Sequence, residues 1–182
     1  FLVKRNGGSP LFATVGRLVP QKGYDRLVWV VGRLVAEGFD LRLWIVGEGP
    51  ERKRLEKLIA DHKLENIITL HGFQANPHPF VSAADWFVCS SHTEGYSMVV
   101  AEALTLGVPV LATRCADMDE HLGGNNEWGI IVDNNELALL DGMRKVLQDR
   151  ELTVNYRKWA ARRGGHYSLD KRMEEIMGLI EQ

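Results

Sequence analysis

The chain has 182 residues, a length that suits one domain with a sizeable core. Its formal net charge is −2 at pH 7, with 45% hydrophobic and 25% charged residues. This balance is ordinary for a globular protein and excludes a global basic field that would attract nucleic acid, so any anion must be held by a local site.

Short apolar runs alternate along the chain with longer stretches of helical periodicity. The predicted strands are 11–15, 41–46, 67–70, 86–89, 108–112 and 129–132. The predicted helices are 25–37, 50–62, 97–106, 135–148, 152–163 and 169–180. The pattern predicts one α/β domain over 1–182, with a core at about 11–148 and C-terminal helices at about 151–181. The expected architecture is a doubly wound parallel sheet of about six strands with helices on both faces.

Ligands bind such sheets at the carboxyl ends of the strands, so the loops after the strands are the candidate sites. In the loop after the first strand, Gly16 and Gly23 bracket Arg17 and Lys22. Two cations beside close-approach glycines can bind adjacent phosphate oxygens. A solvated turn with two surface cations is the alternative interpretation.

Two further loops give weaker signals. Gly47 follows the second strand, and Pro50 suits the first turn of the next helix. The free N–H groups of that helix could meet an anion, although a tight turn explains the glycine equally well. Phe73 and Gln74 follow the third strand and could border a flat ring or simply turn the chain.

The loop after the fourth strand is the most informative. Glu94 and Glu102 lie eight residues apart, and a helix begins near Ser97. Eight helical residues advance about 12 Å, so a close acid–base dyad is not expected. The helix N-terminus between the two carboxylates favours a diphosphate. We therefore expect the carboxylates to hold distant parts of one extended ligand.

These loops together resemble family 4 of the glycosyltransferases, whose GT-B fold pairs two Rossmann-like domains. The resemblance rests on G-R-L-x-x-x-K-G, on E-x7-E with glycine after the first Glu, and on VGEGP, HGF, ADWFVCSS, GVPVLAT and GIIVD. In this order the motifs span roughly residues 11 to 148. The chain would then be the C-terminal, donor-binding half, without the N-terminal acceptor domain.

The resemblance implies a role for each matching position. Arg17 and Lys22 would stabilise the donor diphosphate as a leaving group, and Glu94 would bind a hydroxyl of the transferred sugar. The donor-binding positions would be Gly16, Gly47, Phe73, Gln74, Gly95, Tyr96, Ser97, Met98 and Glu102. Among these, Glu102 would hold the ribose, and Phe73 and Gln74 would border the base. Tyr96 stands where relatives often have Phe.

The implied activity is transfer of a sugar from a nucleotide-diphosphate sugar to an acceptor, with retention of anomeric configuration. No metal cofactor is expected, because cations and helix N–H groups can stabilise the leaving group. The acceptor would be a glycan or a lipid-linked saccharide bound by the missing domain. Phe1 stands where Met would begin a chain, so a fragment is expected. Because the resemblance implies that the acceptor half is missing, we expect weak donor binding and little or no turnover.

Several alternatives stay open. A nucleotide-binding module without catalysis would not need Glu94, and a protein-interaction module would bind no nucleotide. Two cysteines without metal-ligand spacing favour a cytoplasmic location. The basic cluster Arg157, Lys158, Arg162 and Arg163 indicates a solvated face, with contact to the cytoplasmic face of a membrane as the alternative. His121, beside Asp119 and Glu120, lacks the further ligands that a metal site needs.

Overall fold

The computed structural model describes residues 8–165. These residues contain one six-stranded parallel sheet. The strands are β1 Leu11–Val15, β2 Arg42–Val46, β3 Ile68–Gly72, β4 Trp86–Cys89, β5 Val110–Thr113 and β6 Ile130–Val132. Their order across the sheet is β3-β2-β1-β4-β5-β6, and each neighbouring pair is parallel. This is the doubly wound order, so the predicted α/β class is confirmed.

Helices cover both faces of the sheet. They are α1 Tyr24–Ala36, α2 Arg52–Asp61, α3 His78–Ser82, α4 Met98–Thr105, α5 Met118–Leu122, α6 Glu136–Gln148 and α7 Arg150–Gly164, and a 3-10 turn spans Pro20–Lys22. Buried residues of α1, α2 and α6 pack in one core cluster, and those of α3, α4 and α5 pack in a second. No helix in residues 8–165 is long and apolar enough to cross a membrane.

Local sequence explains where these elements begin and what they bury. All four residues of β4 and all four of β5 are buried, as expected for central strands covered on both faces. The side chain of Asn135 accepts the Ala138 N–H at 2.9 Å and caps α6. Asp149 caps α7 in the same way by accepting the Leu152 N–H at 2.9 Å.

The observed boundaries differ from the predicted ones at a few places. β5 begins at Val110 rather than 108, after Pro109, which has no N–H to donate to a neighbouring strand. Helices α3 and α5 have five residues each and were not predicted, because five residues are too few to show helical periodicity. The predicted helix at 169–180 lies outside the described residues.

Candidate functional site

The site lies where the winding of the chain reverses, between β1 and β4. β1 leads outward through β2 to β3, and the chain then returns to place β4 on the other side of β1. The carboxyl ends of β1 and β4 are therefore adjacent, and the loops leaving them diverge to opposite faces. These are loop 16–23, with Arg17 and Lys22, and loop 90–97, with Glu94.

The two loops are joined by hydrogen bonds between residues 21–22 of the first and residues 90–93 of the second. The His92 N–H donates to the Gln21 carbonyl at 2.8 Å, and Gln21 Nε2 donates to the Thr93 carbonyl at 2.9 Å. Ser90 Oγ donates to the Lys22 carbonyl at 2.9 Å. A Cβ on Gly23 would lie 2.3 Å from the Ser90 carbonyl oxygen, so only glycine permits this approach. Loop 16–23, which we call the cation loop, and loop 90–97, which we call the Glu94 loop, thus form one structural unit.

Lys22 and Glu94 form an ion pair at the centre of this unit. Lys22 Nζ lies 2.6 Å from Glu94 Oε1, and the side chains are 21% and 8% exposed respectively. Ser91 Oγ also donates to Glu94 Oε1. Both side chains line a small pocket together with Thr14, Tyr24 and Cys89. Two of the predicted catalytic residues therefore meet in space although they lie 72 positions apart.

Of the remaining predicted residues, Arg17, Gly95, Tyr96 and Met98 lie toward solvent, whereas Gly16 is half-buried and Ser97 is buried, with 2% of the residue exposed. Arg17 is exposed at the first turn of its loop, and Gly95 has open space where a Cβ would be. Tyr96 and Met98 are among the few exposed large apolar side chains of residues 8–165, at 45% and 60%. A surface of this kind at the start of α4 is accessible to a ligand.

Burial changes the acidity of groups below this surface. Burial raises the pKa of the Cys89 thiol to about 11 and also raises the pKa of Tyr24. Both groups are therefore neutral at pH 7. The charged side chains in direct contact at the centre of the site are Lys22 and Glu94.

Asp117 and His121 are parts of the site that the sequence did not reveal. Asp117 Oδ2 accepts the Ser97 N–H at the start of α4, and His121 Nε2 lies 3.2 Å from the same oxygen. The His121 ring is fully buried and packs 4.6 Å from the ring of Tyr96. Burial is the main cause that lowers the pKa of His121. Within residues 8–165, no three side chains of His, Cys, Asp or Glu form a metal-like group.

Glu102 lies in a second hollow on the outer side of α4. Its carboxylate lies 3.8 Å from His78 Nε2, and its side chain is 39% exposed. Tyr96 and Met98 line the same hollow. Glu94 and Glu102 therefore belong to different hollows joined by the start of α4, which agrees with the expectation that they are not a close dyad.

The loops after β2 and β3 flank the site from the other side of β1. Phe73 is 74% exposed, and Gln74 Nε2 donates to the His71 carbonyl at 3.1 Å. Gly47 has φ +146°, and a Cβ there would lie 1.9 Å from the Gly16 carbonyl oxygen. The two glycines thus allow neighbouring loops to pack backbone against backbone. Their roles in donor binding remain predictions.

Comparison with known proteins gives a consistent family assignment. The family model described as "Glycosyl transferases group 1" matches residues 3–163. The chain is 32% identical over 151 residues to the N-acetylgalactosamine-N,N'-diacetylbacillosaminyl-diphospho-undecaprenol 4-alpha-N-acetylgalactosaminyltransferase of Campylobacter jejuni. That match covers 82% of this chain and 40% of the relative, so the chain spans less than half of the relative's length.

Two solved structures share the fold. Anabaena HepE in complex with UDP has a TM-score of 0.83 at 20% identity, covering 95% of this chain and 49% of that one. The C-terminal domain of a group 1 family protein, LpcC of Francisella tularensis, has a TM-score of 0.76 at 22% identity. This match covers 87% of our chain and 85% of the other, so the folded unit is about the same size in both.

Proposed function

Because the chain belongs to the group 1 glycosyl transferases, we propose that it is the donor-binding domain of a two-domain enzyme that transfers a sugar from a nucleotide-diphosphate sugar. The observation that carries the proposal is the meeting of Lys22 and Glu94 at the start of α4. The transferred group is a hexosyl-type sugar. Retention of its anomeric configuration follows from the resemblance to family 4.

The diphosphate binds at the start of α4. When the bond to the sugar breaks, negative charge develops on the diphosphate, and preorganised donors lower the energy of that transition state. Lys22 and the exposed Arg17 supply positive charge, and the positive end of the α4 dipole lies at the start of that helix. These groups need no metal ion to stabilise the leaving group.

The sugar binds beside Glu94. A carboxylate accepts hydrogen bonds from hydroxyl groups, and Glu94 is already oriented by Ser91 and Lys22. A fixed acceptor loses little conformational freedom on binding, which favours one orientation of the sugar ring. The backbone N–H groups of Gly95 and Tyr96 complete the contacts to sugar and phosphate, since those of Ser97 and Met98 already donate to Asp117 Oδ2 and the Tyr96 carbonyl.

The nucleoside extends over the outer side of α4. Glu102, in its half-exposed hollow, accepts hydrogen bonds from the ribose hydroxyl groups. Phe73 presents an exposed ring for contact with the base, next to Gln74. UDP in the complex of Anabaena HepE, a protein of the same fold, makes a uridine nucleotide the first candidate.

The acceptor is a glycan or a lipid-linked saccharide bound by a second domain. The Campylobacter relative carries a diphospho-undecaprenol acceptor in its name, which supports the lipid-linked class. Contact of the basic cluster on α7 with the cytoplasmic face of a membrane is part of the same proposal. Arg157 donates to the Ala84 carbonyl and Arg163 to the His121 carbonyl, so two cations of the basic cluster also make contacts within the fold.

Calorimetric titration of the chain with UDP, GDP and ADP tests the proposal. We expect one of the three to bind, and Glu102→Ala to weaken that nucleotide about ten-fold, which corresponds to about 1.4 kcal/mol for two lost hydrogen bonds. Glu65→Ala, at an exposed position remote from α4, is the matched control and leaves the affinity unchanged. Equal affinity of the Glu102→Ala variant and the wild type would refute the ribose assignment.

The absence of any binding would have a different meaning. Donor affinity of this chain is expected to be weak, because it spans 40% of the Campylobacter relative and the proposed second domain would complete the site. If none of the three nucleotides binds, the titration is therefore repeated with the proposed two-domain enzyme. The absence of binding to that enzyme as well would overturn the donor-binding proposal. A clear rate of sugar transfer by the 182-residue chain alone would overturn the need for a second domain.

A further inference from the structure

Arg26 is a buried cation directly beneath the site. It lies in the first turns of α1, three residues after Gly23, and only 4% of the residue is exposed. A charged side chain is rarely buried unless it is paired, because the loss of hydration is costly. The partners of Arg26 therefore indicate what its position accomplishes.

Those partners are neutral groups of the Glu94 loop and its supports. Nε donates to the Ser90 carbonyl at 2.7 Å. Nη2 donates to the same carbonyl, and it also donates to the Ser91 carbonyl at 2.5 Å. Nη1 donates to Asn134 Oδ1 at 2.8 Å. The guanidinium thus binds two consecutive carbonyls at the point where the chain leaves β4, three residues before Glu94.

A second set of contacts fixes the next carbonyls of the same loop. Asn134 Nδ2 donates to the carbonyls of His92 and Arg114, each at 2.9 Å. Thr113 Oγ1 donates to the Ser91 carbonyl at 2.7 Å. The carbonyls of residues 90, 91 and 92 are therefore all held from neighbouring elements. This network consists of Arg26, Thr113 and Asn134.

The charge of Arg26 is not used in an ion pair with a carboxylate in these contacts. Burial is the main cause that lowers the pKa of its guanidinium, which still stays protonated at neutral pH. The planar fork of Arg can bind several carbonyls at fixed angles, whereas Lys presents one compact ammonium group. The arrangement uses the geometry of Arg, which a Lys cannot reproduce.

We propose that Arg26 is a positioning residue that sets the path of loop 90–94, so that Glu94 meets Lys22 and the donor sugar. The proposal rests on the function proposed above, since it assigns the sugar to Glu94. Arg26 does not touch the ligand itself. Because α1 also begins at the end of the cation loop, one helix sets the position of both loops.

Two measurements on Arg26→Lys test the proposal, with Arg33→Lys as the control on the exposed side of the same helix. The first is hydrogen exchange of the ligand-free chain. We expect exchange of the amides in 90–97 to be about ten-fold faster in Arg26→Lys, while the amides of α6 keep the rates seen in Arg33→Lys. Asn134→Ala, at an exposed residue, should give the same pattern at smaller size.

The second measurement compares a nucleotide with its sugar-bearing form by calorimetry. The probes are UDP with UDP-glucose, GDP with GDP-mannose and ADP with ADP-glucose, of which the pair that the wild type binds is used. Arg26→Lys should raise the Kd of the nucleotide sugar about five- to ten-fold and change that of the nucleotide less than about two-fold. A merely structural role would change both alike.

Each outcome decides the question. Unchanged exchange in 90–97, faster exchange throughout the chain, or a parallel rise of both Kd values would overturn the positioning role. If the wild type binds no nucleotide, the proposed function is in doubt, and the exchange measurement alone decides the role of Arg26. If Arg26→Lys does not fold, Asn134→Ala supplies the same comparison.

Discussion

Removing Lys22 or Glu94 from their ion pair should lower the free energy of unfolding by different amounts, because the two side chains are buried to different degrees. The Glu94 side chain is 8% exposed and the Lys22 side chain 21%. Lys22→Met leaves a carboxylate in a nearly dry place with Ser91 Oγ as its remaining donor. Glu94→Gln leaves an ammonium group on a long stem that can turn toward water.

The expected magnitudes follow from this difference. Loss of one partner of a fully buried pair costs about 3–5 kcal/mol, and the partial exposure of Lys22 reduces this to about 1–3 kcal/mol for Lys22→Met. Glu94→Gln should cost less than about 1 kcal/mol, since the amide oxygen can still accept from Ser91. The double variant should be more stable than Lys22→Met alone, because it removes the isolated buried charge.

Urea unfolding of the ligand-free chain at pH 7, followed by circular dichroism, measures these differences. Changes of 1–3 kcal/mol are large against a total stability of about 5–15 kcal/mol, so they shift the midpoint clearly. Lys53→Met, at an exposed position of α2, is the matched control and should change little. A Glu94→Gln variant less stable than Lys22→Met would refute the reasoning about burial.

Three further predictions concern groups around the site. Gly47→Ala should destabilise the chain by about 2–4 kcal/mol in urea unfolding because a Cβ would clash with the Gly16 carbonyl at φ +146°, whereas Gly124→Ala, with open space, should be neutral. Asp117→Ala should cost about 1–3 kcal/mol by leaving the buried Ser97 N–H unpaired, and Asp117→Asn should recover about half; equal losses would contradict the cap. Cys89, with its pKa raised to about 11, should stay almost entirely thiol at pH 8 and react with a disulfide reagent only after unfolding; fast reaction of the native chain at pH 8 would contradict its burial.

Much of the fold could be predicted because strand burial leaves a strong pattern. The runs WFVC and VLAT are almost entirely apolar, which is typical of strands covered on both faces. The glycines that follow β1 and β2 mark the carboxyl edge of the sheet. The doubly wound order then brings loop 16–23 beside loop 90–97. A site formed by Arg17, Lys22 and Glu94 needs these two loops to be neighbours. The short helices α3 and α5 lacked enough residues to give a periodic signal.

Residues that support the site were harder to find. Arg26 lies among the regularly spaced apolar residues of α1, where a single charged residue suggests the solvent-facing side of the helix. Its side chain is instead buried and donates to the carbonyls of Ser90 and Ser91, 64 and 65 positions away. Asp117 accepts the N–H of Ser97, 20 residues earlier and just before α4, and such a contact has no local sequence signature. His121 attracted attention for its acidic neighbours, whereas its contact is Asp117, one helical turn before it.

A crystal structure of the chain soaked with the nucleotide that binds best in calorimetry tests the central claim most directly. The account predicts the diphosphate at the start of α4, within hydrogen-bond distance of Lys22 or Arg17, and the ribose hydroxyl groups on Glu102. A nucleotide bound elsewhere on the molecule, or one whose phosphates contact neither cation of loop 16–23, would contradict it.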